Sequence, residues 1–270
     1  HLRINAKSVG SAPMQRCFWV VNSVVFISLL SLNVNNVQPG TRRFDRLVDL
    51  LLDEDPDLIA LTECGPEAFE ALTIELEPVG ALYAPADYWG NGIISMRHPP
   101  QKWGSLDISI YGEHRSVVWG TFSMVDDKDI HVAALHLEVS DEVARMDQIR
   151  IIEKELDFGS FILVGDLNAL NRLDYDQEAL NILETRRAQG GRSPPRWDVI
   201  RSLLNEYGFI DAAQGRPFVP TTPYASRVDY ILFGEDSQAN PQFSSYKVLD
   251  TIGMEISDHN SLSVVFQVGN

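Results

Sequence analysis

Apolar residues along the chain fall into short β-rich runs separated by stretches of helical period, which predicts a mixed αβ domain rather than a purely parallel one. Val24 to Asn33 has the composition of a buried strand, and Pro39-Gly40-Thr41 breaks the chain after it. Phe44, Leu47, Val48 and Leu51 then fall at i, i+3, i+4 and i+7, one face of a helix that ends before Pro56. Asp57 to Glu63 reads as the strand completing a β-α-β unit, and Pro66 opens a shorter helix carrying Phe69, Leu72 and Leu76. From Gly92 to Leu137 strands follow one another directly: Ile93 to Met96, Leu106 to Tyr111, Ser116 to Val125 and Ile130 to Leu137. Asp126-Asp127-Lys128-Asp129 turns between the last two, so this stretch reads as an antiparallel meander. Ser140 caps a helix with Val143, Met146, Ile149 and Ile152, and the strand Phe161 to Val164 leads into Gly165-Asp166-Leu167-Asn168. Residues 170–196 read as a helix and a loop. A helix from Trp197 to Tyr207 and strands at Val228 to Phe233, Tyr246 to Thr251 and Leu262 to Val268 close the chain. No repeat, low-complexity tract or linker divides residues 24–270, which form one domain; residues 1–23 are an N-terminal extension to which the sequence assigns no role.

The informative positions are the polar ones that interrupt these strands. Asn33 follows Phe26 to Leu32, Glu63 follows Leu58 to Leu61, His136 lies within Val132 to Leu137, Asp166 and Asn168 follow Phe161 to Val164, and Asp229 sits inside Val228 to Leu232. A carboxylate at the end of a core strand loses hydration and needs a partner, a proton or a metal. If these ends converge, Glu63, Asp166, Asp229 and Asp258 place acids in one pocket, where a divalent cation would balance them. Oxygen ligands without a Cys pair or His cluster suit magnesium, manganese or calcium rather than zinc. Strand parity puts Asp166 and Asn168 on one face, and puts His131 and His136 on opposite faces, so only one histidine can serve the pocket; His136 is the choice. Singly, each of these residues is an ordinary strand-edge or turn residue. Their joint order changes that.

Composition narrows the partners. Of the 270 residues 44% are apolar and 22% charged, which excludes disorder, and 38 Asp+Glu against 22 Lys+Arg leave a net charge of −16. That balance disfavours bulk electrostatic binding of nucleic acid, while allowing a local cationic site. The two cysteines, Cys17 and Cys64, are too few for a disulfide framework and too far apart for a metal knuckle, and read as buried small hydrophobes. The apolar run Cys17 to Val34, preceded by Arg3, Lys7 and Arg16, is similar to the start of a signal peptide or anchor, but its second half reads as strand. A cytoplasmic location is expected, with residues 17–30 the sole candidate for membrane contact.

The order Leu-Ser-Leu-Asn33-Val, Ala-Leu-Thr-Glu63, Leu-His136-Leu, Gly-Asp166-Leu-Asn168, Arg227-Val-Asp229-Tyr and Ser257-Asp258-His259 resembles the endonuclease/exonuclease/phosphatase superfamily, the deoxyribonuclease I-like fold, over roughly residues 24–268. Gly90-Asn91-Gly-Ile-Ile-Ser95 matches a strand segment of that family, and Arg145 with Gln148 matches its helix after the histidine motif. The resemblance implies a four-layer α+β sandwich of two mixed β-sheets flanked by helices. It implies Glu63 as principal metal ligand with Asn33 and Asp258, and one or two Mg2+ or Mn2+ ions. It also implies Asp166 as the group that orients or deprotonates the attacking water, Asn168 and His136 as hydrogen-bond donors to the phosphoryl oxygens, and His259, oriented by Asp229, as general base or charged phosphate donor. Thr62 and Leu135 stand where the family usually has Gln and Thr. A histidine at 136 resembles the deoxyribonuclease, sphingomyelinase and inositol-phosphatase branches more than the abasic-site endonucleases.

The expected activity is divalent-metal-dependent hydrolysis of a phosphodiester or phosphomonoester, especially as in the family's small metal-dependent hydrolases. A nuclease, which the net charge does not favour, and a sphingomyelinase-like lipid phosphodiesterase are the alternatives, and a catalytically silent binding module is a third. The expected partner is a phosphorylated substrate, with no obligatory protein partner. Two further features bear on substrate choice: segment 172–196, with Arg172, Arg186, Arg187, Arg192 and Arg196, as a phosphate-gathering lid or a solvated helix, and Tyr83, Tyr88 and Trp89 as stacking groups or core.

Overall fold

In a computed structural model, residues 25–87, 89–124 and 128–268 are described. The N-terminal extension, Cys17, Tyr88 and the first half of the Asp126–Asp129 turn lie outside them. Twelve strands form two six-stranded sheets. The first contains β1 (Val25–Asn33), β2 (Leu58–Cys64), β3 (Gly80–Pro85), β4 (Gly90–Ser95), β11 (Ala239–Leu249) and β12 (Ser261–Val268), in the order β11-β12-β1-β2-β4-β3. The second contains β5 (Pro100–Asp107), β6 (Ser116–Ser123), β7 (Asp129–His136), β8 (Phe161–Asp166), β9 (Ile210–Asp211) and β10 (Asp229–Phe233), in the order β5-β6-β7-β8-β10-β9.

Alternation along each strand explains the layering. Ile27 and Leu29 of β1 share the core between the sheets with Val164 of β8 and Ile231 of β10, while Leu30 and Leu32 face outward under α1 (Arg42–Glu54) and α2 (Pro66–Leu76). In the same way Ala133 and Leu135 turn outward to α3 (Glu142–Glu155) and α5 (Asp198–Asn205), against Ile149, Ile152 and Val199. Both faces of the central strands are covered, which is why these strands read as nearly continuous apolar runs, whereas the edge strand β5 is mostly exposed. The result is the four-layer sandwich with two mixed sheets. The helix α4 (Gln177–Gln189) buries only Leu183 and lies to one side with its own small cluster.

Each sheet has a single parallel pair, β1 with β2 through α1 and β7 with β8 through α3; the other pairings are antiparallel. The carboxyl ends of β1, β2, β7 and β8 therefore point the same way as the amino ends of β10 and β12. In register, His136 and Asp229 both sit opposite Asp166. That arrangement carries polar residues far apart in sequence to one end of the sandwich.

Several expectations change. The meander divides: β4 pairs with β2 and β3 in the first sheet, and only β5, β6 and β7 run on as a meander. Periodicity reports which face of a strand is buried but not which sheet it joins. The strand expected at Leu106 to Tyr111 lies earlier, because the Asp107 carboxylate accepts from the Ser109 N–H (2.8 Å) and ends it in a turn. The short strands β3 and β9 were not expected. Asp141, not Ser140, caps α3, accepting from Val143 N at 2.9 Å. The strand placed at Tyr246 to Thr251 is the longer β11, whose register slips between Asn240 and Ser245. Cys64 is buried as expected, and burial pushes its thiol up to about 12. No helix among the described residues is long and apolar enough to cross a membrane.

Gly165, just before Asp166, has φ +134°, and a β-carbon there would come 2.2 Å from the Leu135 carbonyl oxygen. Gly165→Ala should therefore cost about 2 kcal/mol or more in stability, read as a lowered urea midpoint.

Candidate active site

The site is built from strand ends. Asn33 closes β1, buried, and its Nδ2 donates to Glu63 Oε1 (3.0 Å) and Asp166 Oδ2 (3.1 Å), bridging the two sheets. Its Oδ1 accepts from Asn35 N (2.9 Å), so ligation of a cation by that oxygen would take a turn of the amide. Glu63 sits in a β-bulge: Leu61 opposes Gly92 and Cys64 opposes Gly90, leaving one extra residue on β2. Glu63 itself has φ +50°, a left-handed conformation rare for a glutamate, and this aims its carboxylate toward Asn33 and Asp166. Burial first, then the charges of Asp166 and Asp258, raise its pKa against the lowering hydrogen bond from Asn33.

Asp166 ends β8 almost wholly buried. Its pKa is raised by burial and by the Asp229 carboxylate, partly offset by His136 and His259. Its Oδ1 accepts from Asn168 N (2.8 Å). Asn168 has φ +48°, so strand parity does not extend to it; its Nδ2 donates to Leu137 O (3.1 Å) and ties the ends of β7 and β8 together. His136 turns its ring inward from the end of β7, whereas His131 bonds Thr121 (2.9 Å) and packs on Phe161, as the parity argument required.

The His136 ring shows a partner that the sequence did not reveal. Arg115 Nη1 lies 3.1 Å from His136 Nδ1. A guanidinium only donates, so Nδ1 accepts and the ring proton is on Nε2. That Nε2 is buried without a hydrogen-bond partner, 3.8 Å from Glu63 Oε1 and 3.7 Å from Asp166 Oδ2. Burial, together with Arg115 and His259 and against the pull of Asp166, lowers the His136 pKa to about 4. The ring is a neutral donor aimed into the acid cradle. The one available signal for Arg115 was its place just ahead of β6, at the same end of the sandwich. Arg145 and Gln148 act behind the site: Arg145 Nη1 donates to Glu138 O (2.8 Å) and Gln148 Oε1 accepts from Glu138 N (2.8 Å), fixing the loop after His136.

His259 precedes β12. Its Nδ1 is 2.8 Å from Asp229 Oδ2 and its Nε2 is 3.8 Å from Asp166 Oδ2. Burial alone would lower its pKa, but the charge and hydrogen bond of Asp229, with Asp166 and Asp258, raise it to about 10. Thr221 Oγ1 accepts from Asp229 N (3.4 Å), and Ser257 Oγ donates to Asn33 O (2.6 Å), holding this segment against β1.

Among the described residues two triads offer ligand atoms within 4.8 Å of one another: Glu63, His136 and Asp166, and Asp166, Asp229 and His259. In the second, the imidazole is already committed to Asp229. The first gives two carboxylates with raised pKa values and an imidazole presenting its N–H, so its free oxygens fit a hard divalent cation. Asp258 is exposed and acts on Glu63 through its charge; it belongs to neither triad. A cleft of about 250 Å3 opens beside the cradle, lined by Glu63, Trp89, Asn91, His114, Arg115 and His136. Of the three aromatics, Trp89 lines this cleft, while Tyr83 stacks on Phe69 and donates to Cys64 O (3.0 Å).

A family model described as the endonuclease/exonuclease/phosphatase family matches residues 30–259. The chain belongs to that family. Members of the endonuclease/exonuclease/phosphatase family are hydrolases of phosphoester bonds and are generally divalent-metal dependent. Solved structures of similar fold include an endonuclease/exonuclease/phosphatase from Beutenbergia cavernae, at 18% identity and TM-score 0.67, covering 91% of this chain and 72% of that one. A mannosyl-6-phosphatase from Bacteroides thetaiotaomicron is 16% identical with TM-score 0.60, covering 88% of this chain and 98% of its own. TDP2 of D. rerio, complexed with a single-strand DNA product, is 18% identical with TM-score 0.64, covering 89% and 98%. No curated protein matches by sequence.

The His259–Asp229 pair gives a pH prediction. A folded-state pKa of about 10 against an ordinary 6.5 means the pair's stabilisation is fully present below pH 6.5 and is lost as pH rises toward 10. In EDTA-treated protein the His259 ring should remain an imidazolium at pH 8 by NMR, and Asp229→Asn should lower its titration midpoint by about two pH units or more.

Proposed function

We propose that the protein is a divalent-metal-dependent phosphoesterase that hydrolyses a phosphodiester or phosphomonoester at this cradle. The observation that carries the reading is the convergence of Asn33, Glu63, His136, Asp166, Asp229 and His259 within hydrogen-bond or ion-pair reach, with the buried His136 N–H left for an incoming acceptor.

Glu63 would hold the metal in this reading; Asn33 would join it only after a turn of its amide, and Asp258 would add charge from the rim. When bound, a divalent cation supplies charge neutralisation and Lewis acidity at a phosphoryl oxygen. The chain's own residues do the rest. Asp166 orients the attacking water and takes its proton; a carboxyl whose pKa is raised by burial is a better base than an exposed one. His136 Nε2–H donates to a phosphoryl oxygen, where charge grows in the transition state, and the Asn168 amide supports the same side. His259, charged at neutral pH because of Asp229, serves as donor to the phosphoryl group or leaving oxygen rather than as base.

The named similar structures include a phosphatase of a phosphorylated sugar and a protein holding a DNA product, and both substrate types fit the reading. The net charge of −16 favours a small phosphorylated molecule over long nucleic acid.

Glu63→Ala and Asp166→Ala should each reduce hydrolysis of bis-p-nitrophenyl phosphate in Mn2+ by about 10²-fold or more with circular dichroism unchanged. Undiminished activity in both would sink the assignment. Cation binding gives an independent check. The Glu63 and Asp166 carboxyls hold protons to higher pH than in the unfolded chain, so the rise in Tm on adding MnCl2 should be larger at pH 8 than at pH 5.5.

A further inference from the structure

A second cavity, of about 160 Å3, lies against the loop that precedes Asp229. It is lined by Arg186 and Arg187 from the last turn of α4, Arg192 from the loop after it, and Tyr224 and Ser226. Among the described residues no aspartate or glutamate lines it, in a chain with 38 acidic residues. Several arginines elsewhere meet carboxylates, as in Arg46 with Glu255, Arg97 with Asp55 and Arg227 with Asp174 and Asp211, while Arg43 and Arg172 donate to backbone carbonyls. Here the contacts are with two carbonyls and a ring. Arg186 Nη1 donates to Pro223 O (2.8 Å), Arg187 Nε donates to Ser193 O (2.9 Å), and the Arg192 guanidinium lies 5.2 Å from the centre of the Tyr224 ring.

These contacts hold the guanidinium groups in place and leave most of their N–H donors for something else. Arg187 is half-buried; burial and the charge of Arg192 push its pKa below the usual guanidinium range. Arg186 and Arg192 are exposed and the Glu142 charge offsets part of the repulsion on Arg187, but three like charges around one cavity are the environment an anionic ligand relieves.

The cavity adjoins the catalytic cradle. Thr221 N and Thr222 N both donate to Ser226 O, folding this segment tightly, while Thr221 O accepts from Asn260 N (2.8 Å), next to His259. Ser226 and Asp229 are three residues apart in sequence, at most about 10 Å of chain.

We propose that this arginine cavity is a subsite for a second phosphate of the substrate, so that the preferred substrate carries two phosphates bridged by a spacer of sugar size. The inference rests on the phosphoesterase reading for the bond that is cleaved, but anion capture itself does not. Arg187 and Arg192 supply charge-assisted hydrogen bonds to the phosphate that is retained, and Tyr224 forms the wall beneath Arg192. They are specificity-determining residues and do not touch the reacting phosphoryl group.

Two arms separate this inference from the phosphoesterase reading. In the first, inorganic phosphate is titrated calorimetrically into EDTA-treated protein, in which the acid cradle repels anions. The parent should bind one phosphate, and Arg187→Gln and Arg192→Gln should each weaken binding by about tenfold or more. No binding by the parent, or binding unchanged in both variants, would overturn the site whether or not the protein is an enzyme. In the second arm, fructose 1,6-bisphosphate and fructose 6-phosphate compete with bis-p-nitrophenyl phosphate in Mn2+. The bisphosphate should inhibit about tenfold more tightly in the parent, the advantage should disappear in both variants, and hydrolysis of the uncharged-arm substrate alone should be unchanged. Equal inhibition by the two sugars, with phosphate binding intact in the first arm, would make this a site for a free anion and overturn the substrate assignment. A matching loss of bis-p-nitrophenyl phosphate hydrolysis in both variants would mean that the arginines only support the fold.

Discussion

Carboxylates that share a dry pocket must be compensated, and the rest of this structure is arranged around that constraint. Asp166 is almost wholly out of water at the junction of the two sheets, with Glu63 on one side and Asp229 on the other. Asn33 donates to two of the three, and the His259 imidazolium pairs with Asp229. That compensation is partial, since Glu63 and Asp166 both keep raised pKa values. The residual negative potential is what a divalent cation would balance, and it explains why histidines and amides of a single geometry surround the acids.

Three unusual backbone conformations fall at the same place, although others cap helices and turns elsewhere. Glu63 and Asn168 are left-handed and Gly165 has a φ that side chains avoid, while the strands behind them alternate regularly between the sheet core and the helices. A bulge at Glu63 and a turn at Asn168 re-aim side chains that ordinary strand geometry would send to the wrong face. The regular sandwich supplies rigidity, and these local departures supply direction.

Net charge is a poor guide to the field at such a site. The chain is strongly acidic, yet Arg115 reaches His136 and fixes which of its nitrogens carries the proton, and Arg227 is locked between Asp174 and Asp211 two residues before Asp229. These two cations stand where they orient a cradle histidine and close a loop, and acids elsewhere carry the overall charge.

The order of polar interruptions in apolar strands was enough to single out the acids and histidines as candidates, because burial of both strand faces leaves a continuous apolar signal that an Asp or Glu breaks visibly; the pattern alone gave a mixed αβ domain, and the sandwich was what the family resemblance implied. Strand parity was enough to choose His136 over His131. Several features were not legible: which sheet β4 joins, the strands β3 and β9, the φ of Glu63 and Asn168, and the approach of Arg115 to His136. Each depends on contacts between residues far apart in the chain, or on a backbone angle with no periodic trace, and a one-dimensional pattern carries neither. Sequence alone determined which residues are costly to bury; tertiary structure decided which of them meet, because only the parallel register of β7 with β8 and the antiparallel register of β10 with β8 bring His136 and Asp229 beside Asp166.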